Sequence, residues 1–214
     1  YNIFMIYTTK IEEAIVVAIK THETDEKQKR KGKDIPYITH PLTVGLILST
    51  AGAGEDLIIA GILHDTIEDS TEDKKVTKEM ITEQFGDQVM QLVLSVTEQD
   101  KSLSWEQRKA EALEHIRTFS HDSLLLKSAD LIANTREIVA DYKKEGDTMF
   151  NKFNAPKEKI LGAYMDAINM ILSVWTEIPT VEDLKMIINE LENLKDKKDY
   201  GQATVDALRR AKFD

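Results

Sequence analysis

The sequence has 214 residues, 42% of them hydrophobic and 31% charged, and a formal net charge of −10. This length and balance suit one soluble globular domain, and no apolar run is long enough to span a bilayer. The lack of cysteine excludes disulfides and thiolate metal sites, so any metal must be held by His, Asp and Glu, and the acidic balance argues against non-specific nucleic-acid binding.

The opening YNIFMIYTTK shows no secretory signal, Met5 is a candidate native start, and the cytoplasm is the expected compartment. Thr9 and Glu12 have capping-box spacing and open a first helix through Ile11, Ile15, Ala18 and His22. Glu23 to Asp34 reads as a polar, basic loop. Its cluster KQKRKGK (Lys27 to Lys33) could, with a metal, draw a small polyanion to an acidic protein. Pro41 suits the first turn of a second helix running to about Thr50, and Gly52 and Gly54 end it. A third helix runs from about Glu55 into His64-Asp65, and Asp69 to Lys75 is a polar loop. A fourth helix stops at Phe85-Gly86, where Gly can adopt the left-handed cap, and a fifth covers Val89 to Val96. Ser104 and Gln107 open a sixth ending near Phe119, and Asp122 or Ser123 opens a long seventh through Asp130, Asn134 and Ile138. Pro156 precedes an eighth, to about Trp175. Thr180 precedes a ninth with Leu184, Ile187, Ile188, Leu191 and Leu194 on one stripe, and a short tenth lies at Val205 to Ala211. Period-2 strand patterns are missing, so the reading is a single all-α domain. Trp105, Trp175 and the methionines are expected in its core.

Three elements carry chemistry. In GILHDTIED, Gly61 to Asp69, an apolar helix leads directly into ionisable residues. On a continuing helix His64 and Glu68 would share one face, and Asp65 and Asp69 another. An imidazole beside a carboxylate is a grip for a hard-to-borderline cation, and further carboxylates one turn on can act on water or substrate. In PYITHP, His40 stands rigidly presented beside Pro41. In KSADLIAN, Lys127, Asp130 and Asn134 fall on one face of an otherwise apolar helix, where an aspartate is costly unless paired or metal-bound. Taken singly, these read more plainly as a solvated helix end, a capping histidine and an Asp130–Lys127 ion pair. His22 is expected to be a core histidine or one bordering the pocket, and His115 and His121 to be surface or capping residues.

The order YITHP, HDTIED, KSADLIAN resembles the HD-domain hydrolases of the RelA/SpoT type, which remove pyrophosphate from the 3′ position of the alarmones ppGpp and pppGpp. The resemblance runs from about Ile11 to Tyr164. It includes the basic stretch before YITHP and the segment Glu83 to Gly86 with Val93 to Thr97 behind it. It implies an all-α HD-domain bundle of about ten helices, with a core over about 9–176 and a helical extension over about 180–214. It points to the stand-alone small alarmone hydrolases, not the long bifunctional enzymes with a synthetase domain.

By this match His40, His64, Asp65 and Asp130 hold one divalent ion, typically manganese in this branch. Glu68 and Asp69 are the catalytic carboxylates, with Glu68 assigned to the attacking water and Asp69 to positioning it or managing the leaving-group proton. Asn134, the basic pair Arg30 and Lys31, and Tyr164 match substrate-binding residues. A divalent ion acidifies water and neutralises phosphate charge that two carboxylates alone would repel. The chain departs from the family at Lys33-Asp34 before Pro36, at Leu131 where a basic residue is common, and at Ser128 where a leucine is common. The resemblance implies a small nucleotide as partner, while the acidic charge and the lack of a spanning apolar run lead to the expectation of no nucleic acid and no membrane. The competing readings are an HD phosphatase for another nucleotide, such as the 2′-phosphate of NADPH, and a catalytically silent nucleotide sensor.

Overall fold

The structure, a computed structural model, describes residues 8–97 and 102–196. The expected tenth helix at Val205 to Ala211 and Met5 lie outside these residues. Among the described residues the regular elements are all helices, with no strand and only an isolated antiparallel bridge between Lys29 and Pro36. The elements are α1 (Thr9–Ile19), α2 (Thr39–Thr50), α3 (Glu55–Leu63), the single turn α4 (Thr66–Asp69), α5 (Lys78–Phe85), α6 (Asp87–Val96), α7 (Trp105–Ile116), α8 (His121–Glu145), α9 (Lys157–Val174) and α10 (Val181–Asp196).

Where the boundaries depart from the sequence reading, local hydrogen bonding explains the difference. Thr8, not Thr9, caps α1, accepting from the backbone of Ile11. Ser120, not Asp122 or Ser123, caps α8, accepting from Ser123. The capping box of Ser104 and Gln107 forms as expected. The loop expected from Glu23 begins later, because α1 widens into a π-helical turn over Lys20–Asp25, closed by Glu26 N–H donating to the Thr21 carbonyl (3.2 Å). Gly86 does take a positive φ of 97°, but with ψ 166°. That is an extended glycine conformation and not the left-handed cap.

The core is apolar and continuous. The long helix α8 packs against α2, α3, α6, α9 and α10 and buries Leu124, Leu126, Leu131 and Ile132. α10 lays Leu184, Ile187, Leu191 and Leu194 onto the bundle, as its stripe predicts. α2 and α3 pack on each other through two glycines. A Cβ on Gly61 would stand 2.4 Å from Leu48 Cδ1, and one on Gly45 would stand 2.8 Å from Ile62 Cγ1. This close approach brings His40 near the start of α2 beside His64 just past the end of α3. The methionines are divided: Met149 is buried, whereas Met80 and Met186 are exposed. Trp175 stacks on His121 with ring centroids 4.1 Å apart. No helix among the described residues is long and apolar enough to cross a membrane.

Candidate metal centre and substrate pocket

The third helix, expected to run into His64-Asp65, stops just before them. α3 ends at Leu63, His64 and Asp65 make the turn, and Asp65 (φ −98°, ψ −6°) starts α4. Competing local bonds stop the helix: His64 Nδ1 lies 2.8 Å from the Gly61 carbonyl, and the Thr66 hydroxyl donates to the Leu63 carbonyl at 2.7 Å. The face-sharing argument for His64 with Glu68 therefore fails as stated, although the turn still delivers both to one cavity.

Because a carbonyl can only accept, His64 Nδ1 must be the donor to Gly61, and Nε2 is the nitrogen facing Asp65 Oδ2, 2.9 Å away. His40 Nε2 lies 3.8 Å from the same Asp65 oxygen and 3.3 Å from Asp130 Oδ1. Donor atoms of His40, His64 and Asp65 all fall within 4.8 Å of one another, and Asp130 joins them from α8. Both imidazoles are buried. Burial alone would lower the His64 pKa, but Asp65 and then Asp130 outweigh it and raise it to about 9. Burial would raise Asp65 and Asp130, yet His64 holds the first, and Lys127 and His40 hold the second, below the usual carboxylate range. Two imidazoles with two ionised carboxylates and no thiolate form a donor set that fits a divalent metal.

Supporting bonds fix this cluster. The Tyr37 hydroxyl donates to Asp65 Oδ2 at 2.5 Å. Burial and the Asp65 charge raise the phenol's pKa, so it stays a donor. Asp130 accepts from Lys127 Nζ (2.8 Å) and Asn134 Nδ2 (2.6 Å), so the expected ion pair is present inside the cluster. Burial works against the Lys127 charge, but Asp130, Asp65 and Glu68 more than offset it.

A cavity of about 260 Å³ opens on the cluster, lined by His40, His64, Asp65, Glu68, Lys127 and Asp130. A larger one of about 670 Å³, walled by Trp105, Leu113, Phe153, Ile160 and Tyr164, shares Lys109, Lys127, Asp130 and Asn134 with it. The two cavities adjoin along these residues, the first mainly polar and the second mainly apolar. Of the residues singled out in the sequence, Glu68 and Asn134 line the first cavity, and Tyr164 and Asn134 the second. Asp69 accepts from Gln28, whose Nε2 donates to its Oδ2 at 2.9 Å. Arg30 stands behind Asn134, with Nη2 2.8 Å from its Oδ1, Nε 2.7 Å from Glu137 Oε2, and the guanidinium over the Tyr37 ring. Lys31 is exposed, with its ammonium 5.2 Å from the centre of the Phe153 ring. His22 is fully buried, as a core histidine.

The sequence reading missed the contribution of α7. Arg108, Lys109 and His115 line the first cavity, so His115 is exposed but not a plain surface residue. Their spacing with Ala112 and Ile116, at intervals of three and four, marks one helical face and was the available signal. Glu137 and Asp141 were also missed. They accept from Lys33 at 2.7 and 2.6 Å, and Asp141 from Lys152 at 2.7 Å, tying the basic loop to α8.

Residues 14–160 match the family model described as an HD domain. The guanosine-3′,5′-bis(diphosphate) 3′-pyrophosphohydrolase MESH1 of Danio rerio is 35% identical over 133 residues, 61% of this chain and 70% of that protein. The Xenopus tropicalis enzyme of the same name is 39% identical over 119 residues, 54% of this chain and 64% of its own. A GTP pyrophosphokinase of Streptomyces coelicolor is 39% identical over 130 residues, which span 59% of this chain but only 14% of that longer protein. Among solved structures, the fold matches a metazoan ortholog of SpoT that hydrolyzes ppGpp and plays a role in starvation responses. Its TM-score is 0.66 at 22% identity, covering 89% of this chain and 97% of that one. It also matches lmo0812 of Listeria monocytogenes, with a TM-score of 0.64 at 30% identity, covering 74% and 99%. On the family model and the Danio rerio relative, the chain belongs to the HD-domain family, in the branch that holds these pyrophosphohydrolases.

Proposed function

We propose that this chain is a metal-dependent phosphohydrolase that removes the 3′-pyrophosphate of ppGpp and pppGpp, giving GDP or GTP and pyrophosphate. The observation that carries this reading is the cavity of the His-Asp cluster and Glu68, with a larger, more apolar cavity adjoining it. Lys109 and Lys127 stand at the junction. A nucleotide with its phosphates at the cluster and its nucleoside against Tyr164 and Phe153 suits both halves.

His40, His64, Asp65 and Asp130 would hold one divalent ion, manganese in our reading. When bound, that ion acidifies water and neutralises phosphate charge. Glu68 orients the attacking water and takes its proton. The water oxygen bonds to the phosphorus next to the ribose, the P–O3′ bond breaks, and O3′ takes up a proton. Asp69 helps position the water or passes that proton on. Lys127 and Lys109 offset the charge of the departing pyrophosphate. Asn134 hydrogen-bonds the ribose and neighbouring phosphate, Arg30 adds positive charge from behind Asn134 and Lys31 from beside Phe153, and Tyr164 lines the nucleoside pocket. The lysines and the ion answer the objection that a chain of net charge −10 should repel a polyanion.

The test is product identity. Purified protein with manganese and ppGpp should give GDP and pyrophosphate, and EDTA should abolish turnover. Orthophosphate as the product, or turnover of NADPH and not ppGpp, would replace this reading with a nucleotide monoesterase. Nucleotide binding without turnover would replace it with a sensor.

A further inference from the structure

We propose that Gln28, itself held by His22, is the positioning residue for the Asp69 carboxylate. The proposal rests on the reading of Asp69 as one of the catalytic pair. Gln28 Nε2 is 2.9 Å from Asp69 Oδ2, and Gln28 Oε1 is 2.8 Å from His22 Nδ1. The direction of this chain follows for an ionised Asp69. An ionised carboxylate can only accept, so the amide must present its nitrogen to Asp69 and its oxygen to His22. Nδ1 of His22 must then carry a proton, whatever the charge of the ring. Both ends of Gln28 are also fixed on the backbone: its N–H donates to the His22 carbonyl at 2.7 Å, and its carbonyl accepts from Tyr37 N–H at 2.8 Å.

His22 is in this position because of the π-helical turn, which buries Thr21 and His22 side by side at the end of α1. Its ring is fully buried, with the Tyr37 ring 5.0 Å away, and its Nε2 has no hydrogen-bond partner among the described residues. Burying an imidazole with one nitrogen unsatisfied is unfavourable, and a leucine would fill the space without that cost. The donor at Nδ1 is what a leucine would lack. The same segment reaches the other flank of α4, where Tyr37 donates to Asp65. The turn that carries Glu68 is therefore clamped at Asp65 by Tyr37 and at Asp69 by Gln28. Without Gln28, Asp69 keeps its place on the backbone (its N–H donates to the Asp65 carbonyl at 2.9 Å) and keeps His22 Nδ1 3.8 Å from its Oδ2, but loses the amide donor 2.9 Å from that oxygen.

Four variants and a spectrum test this. Gln28→Ala should lower kcat roughly 10- to 100-fold, the usual cost of removing a supporting partner, and leave KM and manganese affinity by calorimetry within about twofold of the parent. His22→Ala should behave alike. His22→Asn, which keeps an N–H near the Nδ1 position, should recover most of the lost turnover. Gln28→Glu can donate to Asp69 only when protonated, so its turnover relative to Gln28→Ala should climb as pH falls. Unchanged kcat in Gln28→Ala would overturn the proposal. So would loss of manganese affinity in step with kcat, or His22→Asn as impaired as His22→Ala. Independently of any substrate, ¹⁵N NMR of the parent should show His22 protonated at Nδ1, and Gln28→Ala should remove that preference. A ring protonated at Nε2 alone would overturn the proposal even if ppGpp is turned over. If the parent turns over another nucleotide and not ppGpp, the functional reading fails, and the same variants on that nucleotide, with the spectrum, still decide the role of Gln28.

Discussion

Replacing Gly61 by alanine probes how closely the metal cluster depends on the packing of α2 against α3. The added Cβ would stand 2.4 Å from Leu48 Cδ1 and 3.3 Å from Val44 Cγ1, where carbon atoms ordinarily rest about 3.5–4.0 Å apart. Leu48 and Val44 are both fully buried, so neither can swing into solvent. Overpacking of this kind costs about 1–3 kcal/mol. Alanine recovers about 1 kcal/mol of helix propensity over glycine. With the contact this short the net is about 1–2 kcal/mol of destabilisation, or a Tm lower by roughly 2–8 °C for a chain of this size. The helices must also part, which moves His40 on α2 away from His64 and shifts the Gly61 carbonyl that holds His64 Nδ1. Manganese affinity should therefore fall, on the order of tenfold. Thermal melting and calorimetric titration of manganese measure both effects. The double variant Gly61→Ala with Leu48→Ala should be more stable than the sum of the single effects, because the new methyl enters the space the leucine leaves. A Gly61→Ala protein as stable as the parent, with unchanged manganese affinity, would refute the reasoning.

Glu68→Gln should keep manganese bound and reduce kcat roughly 10²–10⁴-fold, as loss of a general base does. Steady-state kinetics with a parallel metal titration checks both halves. Arg30→Ala should raise KM for the nucleotide on the order of tenfold or more, the scale of one charged hydrogen bond, with a smaller effect on kcat. Asp141 supplies a pH dependence of stability. Burial acts to raise its pKa, but Lys152 and Lys33 outweigh this and hold the carboxyl below its ordinary value of 3.8. A group whose folded-state pKa is depressed adds stability above its unfolded pKa, and that stability is lost as pH falls through the folded value. The parent should accordingly lose Tm on acidification below about pH 4, and Asp141→Asn should start about 1–3 kcal/mol less stable and show a shallower acid limb. Parallel Tm–pH curves decide this.

Most of the fold was legible because helix periodicity and caps are local signals: the Ser104 box, Pro156 and the α10 stripe all stand where the sequence places them. The misplacements are equally local in origin. Thr8 and Ser120 took capping roles from neighbours of similar chemistry one to three residues away, a choice that sequence spacing leaves degenerate. The break at His64-Asp65 was not visible, because the bonds that stop α3 come from His64 and Thr66 side chains turning back on their own helix. In the site, His40, His64, Asp65 and Asp130 were marked together only by the resemblance of YITHP, HDTIED and KSADLIAN to a known family, since taken singly they read as a capping histidine, a helix end and an ion pair. The supporting bonds were not legible: Tyr37 to Asp65, Gln28 to Asp69 and Arg30 to Asn134 link residues 28, 41 and 104 positions apart. Such pairings depend on how helices cross, which no local pattern encodes.

The central claim is that His40, His64, Asp65 and Asp130 together hold one divalent ion. An anomalous difference map recorded at the manganese absorption edge, from crystals grown with manganese, tests it most directly. One peak within bonding distance of Nε2 of both histidines and of an oxygen of each aspartate, lost in Asp65→Ala, is the result expected. A peak elsewhere, a second peak of equal height, or full occupancy in Asp65→Ala would contradict the account.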